Sequence, residues 1–425
     1  MTTQGLQTSK PEFICLMAVL MSLAALSIDT VLPALDKIGS SLGVENPNNN
    51  QLIISTFFLG MALGQLLYGP FSDSFGRKKA IYLGISIFIV GCLITLLSTS
   101  FTFILIGRVC QGFGISSCRV VTLAMIRDKL SGREMGRVMS LIMVLFVIVP
   151  AIAPSIGQLI LFFADWRAIF GFILVIAIIG GLWLFFRQPE TLAEEKRLDF
   201  SARTIIAGVI ETLKNPISHS YMVASGIIFG AFVGYLNSAQ QILQIQYNLG
   251  DAFSLYFGGL AIAIGISSFF TSKLIMRFGM ETLNFYSVLM LSISSFLFYV
   301  YAQSVSGHPA LFVLMGYLTI TFFSFGVLFG SFNTLALQPL GHIAGVANSI
   351  ISSVQTLISV VVGGYIGQCY DGSVLPLVLG FLLCGISTLS ILIYIGKCVS
   401  GPGEALSYTR PKTQRERVAK TRRKR

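Results

Sequence analysis

Three ionisable side chains lie well inside apolar runs of this sequence: Asp29, Arg108 and Arg119. An arginine at the centre of a bilayer costs roughly 2.5–3.5 kcal/mol even on insertion scales, so each of these charges is a functional hypothesis by default. A carboxylate that pairs alternately with a cation and with a proton or a solute can couple two movements. We expect that chemistry of Asp29 and Arg108.

Asp29 lies five residues before the end of its apolar run, and Arg108 lies seven residues after the start of another. In helices that rise about 1.5 Å per residue, both stand roughly 8–10 Å deep. Gln111, one turn from Arg108, can share the carboxylate. A static ion pair that only fixes packing is the alternative. For Arg119, contact with substrate, lipid phosphate or backbone carbonyls and a purely structural role all stay open.

Helices long enough to cross a membrane must position these charges. The chain has 425 residues, of which 54% are hydrophobic and 11% charged, against about 25% charged residues in soluble domains. Twelve apolar runs are each about 20 residues or longer, enough to cross a bilayer as a helix. They cover 13–34, 52–72, 80–99, 101–126, 138–162, 167–187, 220–243, 254–276, 283–303, 309–332, 343–367 and 374–396. We therefore predict an all-α membrane protein, with the first run retained because it is too long for a signal peptide.

The distribution of cations predicts the orientation in the membrane. With the N-terminus inside, the inner side receives 25 of the 29 Lys and Arg residues, and the outer side receives only Lys37 and Arg167. Arg108 and Arg119 lie within spans. Both termini are therefore predicted to be cytoplasmic.

The order of spans predicts two pseudo-symmetric six-helix halves, at 1–187 and 220–397. A cytoplasmic linker at 188–219 separates them, and within it Ile205, Ile206, Val209, Ile210 and Leu213 share one face of an amphipathic helix. An ordinary linker helix is the alternative. The tail at 398–425 is basic and predicted to be disordered, with anionic lipid as its partner.

The loop after the second span reads "GPFSDSFGRKKA". Gly69 permits close helix approach, and Gly76 permits a sharp turn. Asp73 can pair with a cation or cap the N-terminus of a neighbouring helix, while Arg77 and Lys78 face anionic lipid and interior carboxylates. A degenerate counterpart, "MRFGMET", follows 203 residues later, in the matching loop of the second half.

The loop resembles the signature of the major facilitator superfamily, in which it acts as a latch that holds one conformation. Further stretches resemble the Bcr/CflA drug-resistance branch of bacterial proton-driven exporters, densely in the first half and more thinly in the second. They are "SIDTVLPAL", "FLGMALGQLLYGPFSD", "GRVCQGFG", "MIRD", "VPAIAPSIG", "DWRAIF", "PETL" and "GVANSIISSVQ". The resemblance implies the major facilitator fold, with the first and fourth spans as neighbours, and a bacterial inner membrane location.

The same resemblance assigns an antiport motif to Pro150, Pro154 and Gly157 in the fifth span. Two residues depart from the usual pattern: Ala153 and Gln158 stand where glycines are preferred. The remaining prolines and glycine still allow a kinked, closely packed helix.

Amides, rings and one further cation are candidates to line a cavity between the halves. They are Gln65, Tyr68, Arg119, Tyr235, Asn237, Gln240, Asn333, Asn348 and Gln355. Such a lining suits small amphiphilic organic solutes, and each residue is also a candidate for helix-packing contacts alone.

These observations predict a proton-coupled transporter that exports small organic compounds by drug:proton antiport. The alternatives are a dedicated carrier for one metabolite, amino acid or siderophore, and a non-transporting receptor or assembly protein. We expect no enzymatic activity, no metal and no cofactor, with protons as the coupling ion. We also expect a monomer that does not bind nucleic acid.

Overall fold

A computed structural model describes residues 10–197 and 200–399, and this part of the chain is almost entirely helical. In chain order the helices are α1 (Lys10–Asp29), α2 (Leu35–Ser41), α3 (Leu52–Phe75), α4 (Arg77–Leu97), α5 (Phe101–Lys129), α6 (Gly132–Phe163), α7 (Arg167–Arg187), α8 (Ala202–Lys214), α9 (Pro216–Ala239), α10 (Phe253–Phe278), α11 (Met280–Ser304), α12 (Leu311–Leu337), α13 (Ala344–Gln368) and α14 (Leu375–Val399). From residue 400 onward, the predicted basic tail lies outside the described residues.

All helices except the short α2 and α8 are long enough to cross a hydrocarbon core. Ten continuous helical stretches of the described chain have the length and hydropathy of a membrane span, and one of them, Leu311–Gln368, contains both α12 and α13. α6 has 32 residues and an apolar part at Ile148–Phe163. The twelve predicted spans are therefore confirmed, since each overlaps one of these helices.

The packing of α1–α7 recurs in α9–α14. α1 packs against α5, α6 and α7, and α9 likewise packs against α12, α13 and α14. The pairs α3–α5, α4–α5 and α4–α7 recur as α10–α12, α11–α12 and α11–α14. We call these two sets the first and the second half. Two seams join them, α3 against α13 and α6 against α10, and these seams are themselves a symmetric pair. The proposed residue limits of the domains remain a prediction.

Matching glycine turns reinforce this symmetry. Gly76 connects α3 to α4 with φ +101° and ψ 154°, and Gly279 connects α10 to α11 with φ +84° and ψ 156°. Side chains other than glycine rarely adopt this backbone conformation. Both turns are at the same end of the bundle, which we call the loop face. The opposite end, where α1 ends and α3 begins, is the distal face.

The linker contains the predicted helix α8, which packs against α13 and α9. Gly208 lies against Val346 of α13, whereas Ile206, Ile210 and Leu213 are 58%, 47% and 45% exposed. The exposed residues form an apolar stripe on the side of α8 away from α13. Its contact with a membrane surface remains a prediction.

Candidate functional site

Arg108 of α5 is the most deeply buried cation at the candidate site, with no exposed surface. Its Nε donates to the carbonyl of Ile53 at 3.0 Å, and its Nη1 donates to the carbonyl of Ser27 at 3.0 Å. The guanidinium also lies over the ring of Phe57, with Cζ 4.3 Å from the ring centroid. The cation thus joins the ends of α1, α3 and α5.

Gln111 completes the first-half polar cluster. Its Oε1 accepts from Arg108 Nη1 at 2.8 Å, and its Nε2 donates to the Gly91 carbonyl at 3.1 Å and the Thr95 hydroxyl at 2.9 Å. We predicted that Gln111 would share the carboxylate of Asp29. In this structure it instead shares the guanidinium.

Asp29, the last residue of α1, is also buried, with 5% of its surface exposed. Within residues 10–197 and 200–399, no cation forms a salt bridge with it, so the direct Asp29–Arg108 pair predicted from the sequence is absent in this conformation. Neutral acceptors occupy Nε and Nη1 of Arg108 in this conformation, and its buried Nη2 has no hydrogen-bond partner among the described residues. Tyr235 of the second half, a predicted lining residue, is 1% exposed, and its hydroxyl has no hydrogen-bond partner among the described residues.

The loop motif forms a charged network on the loop face. Arg77 pairs with Asp73 and donates from Nε to Asp128 at 3.0 Å and from Nη1 to the Ser72 hydroxyl at 2.8 Å. Glu190 accepts from the backbone N–H groups of Arg77 and Lys78 at 3.1 and 3.0 Å, so a linker carboxylate caps the N-terminus of α4. Asp128 and Glu190 lie in the stretches "MIRD" and "PETL", but the sequence alone assigned no role to either residue.

Two residues of the motif contact the second half. A Cβ on Gly69 would lie 2.1 Å from the Ser349 hydroxyl, which shows how closely α3 and α13 pack here. The Asp73 carboxylate lies 3.8 Å from the corresponding position on Gly345, near the start of α13. A helix N-terminus attracts negative charge, so Asp73 is placed to stabilise this contact between the halves.

The predicted antiport motif lies in α6, which contains both Pro150 and Pro154 within one helix. A Cβ on Gly157 would lie 2.1 Å from the carbonyl of Thr30, directly after Asp29. The motif therefore packs against the end of α1, next to the buried acid.

The predicted lining residues divide among the α3–α13 seam, the first half and the second half. At the α3–α13 seam, Gln65 accepts from Thr356 at 3.1 Å; Asn237 donates to Ser55 across the halves at 3.1 Å and to the Gly363 carbonyl within the second half at 3.0 Å. In the first half, the Tyr68 hydroxyl has no hydrogen-bond partner among the described residues, and Arg119 is half-buried. In the second half, Gln240 donates to Gln244 and Asn333 donates to Asn348, while Gln355 is half-buried. The structure thus brings Gln65 and Asn237 together with the opposite half.

Sequence reasoning missed a group of amides on the distal face. Asn48, Gln51, Gln241 and Gln368 form hydrogen bonds between the two halves. The amide-rich stretch "NPNNNQ" at 46–51 is the signal that could have drawn attention to this loop.

Residues 17–364 match the Major Facilitator Superfamily, and since they make up most of the chain, the protein belongs to that superfamily. It is therefore a multi-pass membrane transporter. The bicyclomycin resistance protein homolog of Haemophilus influenzae is 28% identical over 406 residues, which are 91% of this chain and 96% of that protein. The multidrug resistance protein MdtL of Salmonella heidelberg is 28% identical over 392 residues, or 90% and 94%. The resemblance to the drug-resistance branch is thus confirmed.

A solved structure confirms the fold. The xylose transporter XylE from E. coli is similar to this chain with a TM-score of 0.67 and 13% sequence identity, covering 90% of this chain and 97% of that one. At this identity the likeness concerns the arrangement of helices alone.

Proposed function

We propose that this transporter exports small organic compounds in exchange for protons, with a multidrug range of substrates. The observation that carries the proposal is the buried Asp29, which has no cation partner within the described chain and lies close to Arg108 at the ends of α1 and α5. The drug-resistance names of two relatives that cover nearly the whole chain support the same conclusion.

The coupling step needs two states of Asp29. A charged carboxylate in a low-dielectric site is costly unless a proton, a cationic substrate or Arg108 neutralises it. We infer that these three partners are mutually exclusive. A proton that occupies Asp29 displaces the substrate, and release of that proton on the other side lets the next substrate bind.

The orientation follows from the distribution of cations. The loop face carries Arg77 to Lys79 and the 188–219 linker, so we assign it to the cytoplasm together with both termini. The distal face then faces outward from the bacterial inner membrane. Anionic lipid is the proposed partner of the basic loops and tail.

The substrates we propose are neutral or cationic amphiphiles. The interior of the described chain offers one buried acid, aromatic rings and scattered amides, and the cation of Arg108 is engaged by neutral acceptors. Transport of such compounds requires no chemical reaction and no cofactor besides the coupling proton. A monomer is sufficient, since both seams lie within one chain.

An efflux assay tests this proposal. An efflux-deficient host that expresses the protein is challenged with several chemically unrelated toxic compounds, with and without an uncoupler. We expect protection against more than one compound and its loss when the proton gradient collapses. Protection against none, together with energy-dependent uptake of a single metabolite, would instead identify a dedicated carrier.

A further inference from the structure

The distal face is closed by a cluster of uncharged amides that reaches across both halves. Asn48 Nδ2 donates to the carbonyls of Gln368 at 3.1 Å and Tyr370 at 2.9 Å, and Gln368 Nε2 returns a bond to the carbonyl of Asn48 at 3.0 Å. Gln241 Nε2 donates to Asn48 Oδ1 at 2.8 Å. Gln51 Nε2 donates to Gln241 Oε1 at 2.5 Å and to the carbonyl of Gly367 at 3.0 Å. We call Asn48, Gln51, Gln241 and Gln368 the amide clasp.

The residues of the clasp come from three elements of the fold. Asn48 and Gln51 belong to the short 3-10 turn Pro47–Gln51 that leads into α3. Gln241 lies in a π-helical stretch, Gln240–Gln246, at the end of α9, and such irregular turns often mark functional positions. A Cβ on Gly367 would lie 1.9 Å from Gln51 Oε1, so α13 needs a glycine here to admit the amide.

Burial distinguishes the inner two amides of the clasp from ordinary surface residues, whereas Asn48 is half-buried and Gln368 is exposed. Gln51 and Gln241 are 2% and 5% exposed, so their mutual bond is shielded from water. A buried amide that loses its partner is costly unless water reaches it. In the closed arrangement Gln51 Oε1 is buried without a hydrogen-bond partner among the described residues. The clasp therefore favours two arrangements, one with the hydrogen bonds of the clasp closed and one with the cleft open to water, which would satisfy this oxygen.

We propose that the amide clasp is the gate of the distal face, and that it opens and closes as a unit in each transport cycle. The proposal rests on the proposed function only in taking the distal face as the exit side. At the second seam, Gln158 bonds to Asp251 and closes the same face. The clasp also adjoins the first-half polar cluster, since Ile53, whose carbonyl accepts a hydrogen bond from Arg108, follows Gln51 by two residues.

The first test measures access to the seam from the distal face. The reporter is Gly364→Cys, beside Ser55 and beneath the clasp, and the readout is its rate of reaction with a membrane-impermeant maleimide. The background is Cys369→Ser, because native Cys369 is exposed. We expect Asn48→Ala and Gln241→Ala each to raise the labelling rate about tenfold, because each removes one or more bonds of the closed state. Asn49→Ala is the matched control, since this neighbouring amide has no hydrogen bond to the second half in the described chain.

The second test locks the gate. Oxidation of an Asn48→Cys, Gln368→Cys pair, also in the Cys369→Ser background, should abolish export while a fluorescent substrate still binds from the loop face, and a reductant should restore export. An Asn49→Cys, Gln368→Cys pair controls for oxidation itself. Unchanged labelling in both alanine variants, or full export by the oxidised pair, would overturn the gate. If labelling responds but no compound is exported by the unmodified protein, the gate stands and the proposed substrates are wrong.

Discussion

Arg108 Nε donates a hydrogen bond to the carbonyl of Ile53 at 3.0 Å, while Asp29 stands buried without a salt bridge in the described chain. Arg108, the cation of the candidate Asp29–Arg108 coupling pair, is therefore bound to a backbone carbonyl in the first turn of α3. Rotation of Arg108 toward Asp29 would release that turn. This relationship makes the acid, the cation and the start of α3 parts of one coupled unit.

The first prediction concerns coupling at Asp29. Asp29→Asn keeps the size of the side chain but removes its charge change, so we expect substrate gradients driven by protons to fall to near the background of empty vesicles. Downhill exchange of substrate should persist. The measurement is accumulation in inverted vesicles with an imposed pH gradient. Asp36→Asn, at an exposed position near the same membrane surface, is the control. Undiminished uphill transport by Asp29→Asn would rule out this role.

The second prediction concerns the stability contributed by Arg108. Arg108→Ala leaves the carbonyls of Ser27 and Ile53 without their donor, and an unpaired buried acceptor costs about 1–3 kcal/mol. We expect a lower unfolding temperature in detergent for Arg108→Ala, and an intermediate value for Arg108→Lys, whose compact ammonium cannot replace the planar fork. Exposed Lys37→Ala should unfold like the unmodified protein. Equal temperatures for all variants would show that the bonds to Ser27 and Ile53 do not stabilise the fold.

The third prediction concerns Asp73. Asp73→Asn removes the negative charge that pairs with Arg77 and faces the start of α13. The interaction of a charge with a helix N-terminus contributes about 0.3–1 kcal/mol, and the ion pair adds to it, so we expect turnover to fall about three- to tenfold. Substrate affinity should change much less, because Asp73 acts on the contact between the halves. Comparing transport rates with equilibrium binding checks this. Glu281→Gln in the counterpart loop is the control. Equal losses of rate and affinity would point to a folding defect.

The fourth prediction concerns the close approach of α3 and α13. A Cβ on Gly69 would lie 2.1 Å from Ser349 Oγ but 3.2 Å from Ser349 Cβ. Gly69→Ala should therefore destabilise the closed contact between α3 and α13, and overpacking of this kind costs roughly 1–3 kcal/mol. We expect turnover to fall about tenfold as a result. Adding Ser349→Ala removes the clashing oxygen and should restore most of the rate. A double variant no faster than the single one would show that the seam does not close at this point during transport.

The fifth prediction concerns substrate range. If area dominates the contact with substrate, no single amide is essential. Asn237→Ala and Asn333→Ala should each change the relative protection against a panel of toxic compounds without ending it. Growth curves at graded doses measure the profile, and a variant at half-buried Asn49 provides the control. Loss of all protection in either variant would favour a dedicated site with fixed hydrogen bonds.

The membrane helices and their turns could be predicted because they follow from local sequence. Twelve apolar runs specify twelve helices by length, and Gly76 lies at its turn with the positive φ that its position between two helices requires. Gly69 and Gly157 also lie at close helix contacts, as the small-residue pattern indicated.

The partners of polar residues could not be predicted in the same way. Arg108 bonds to the carbonyls of Ser27 and Ile53, and a backbone carbonyl carries no signal in the sequence. The clasp depends on the π-helical turn that places Gln241 opposite Gln51, and on helices far apart in the chain. Only the assembled seam shows which of many amides meet.

The linker is fastened at both of its ends. Glu190 is bound to the N-terminus of α4 in the first half. In α8, Gly208 lies against Val346 of α13, and Glu211 bonds to His342 in the turn that precedes α13. We infer that these two attachments limit how far α13 can move away from the first half at the loop face, and with it how bulky a compound can enter from that side.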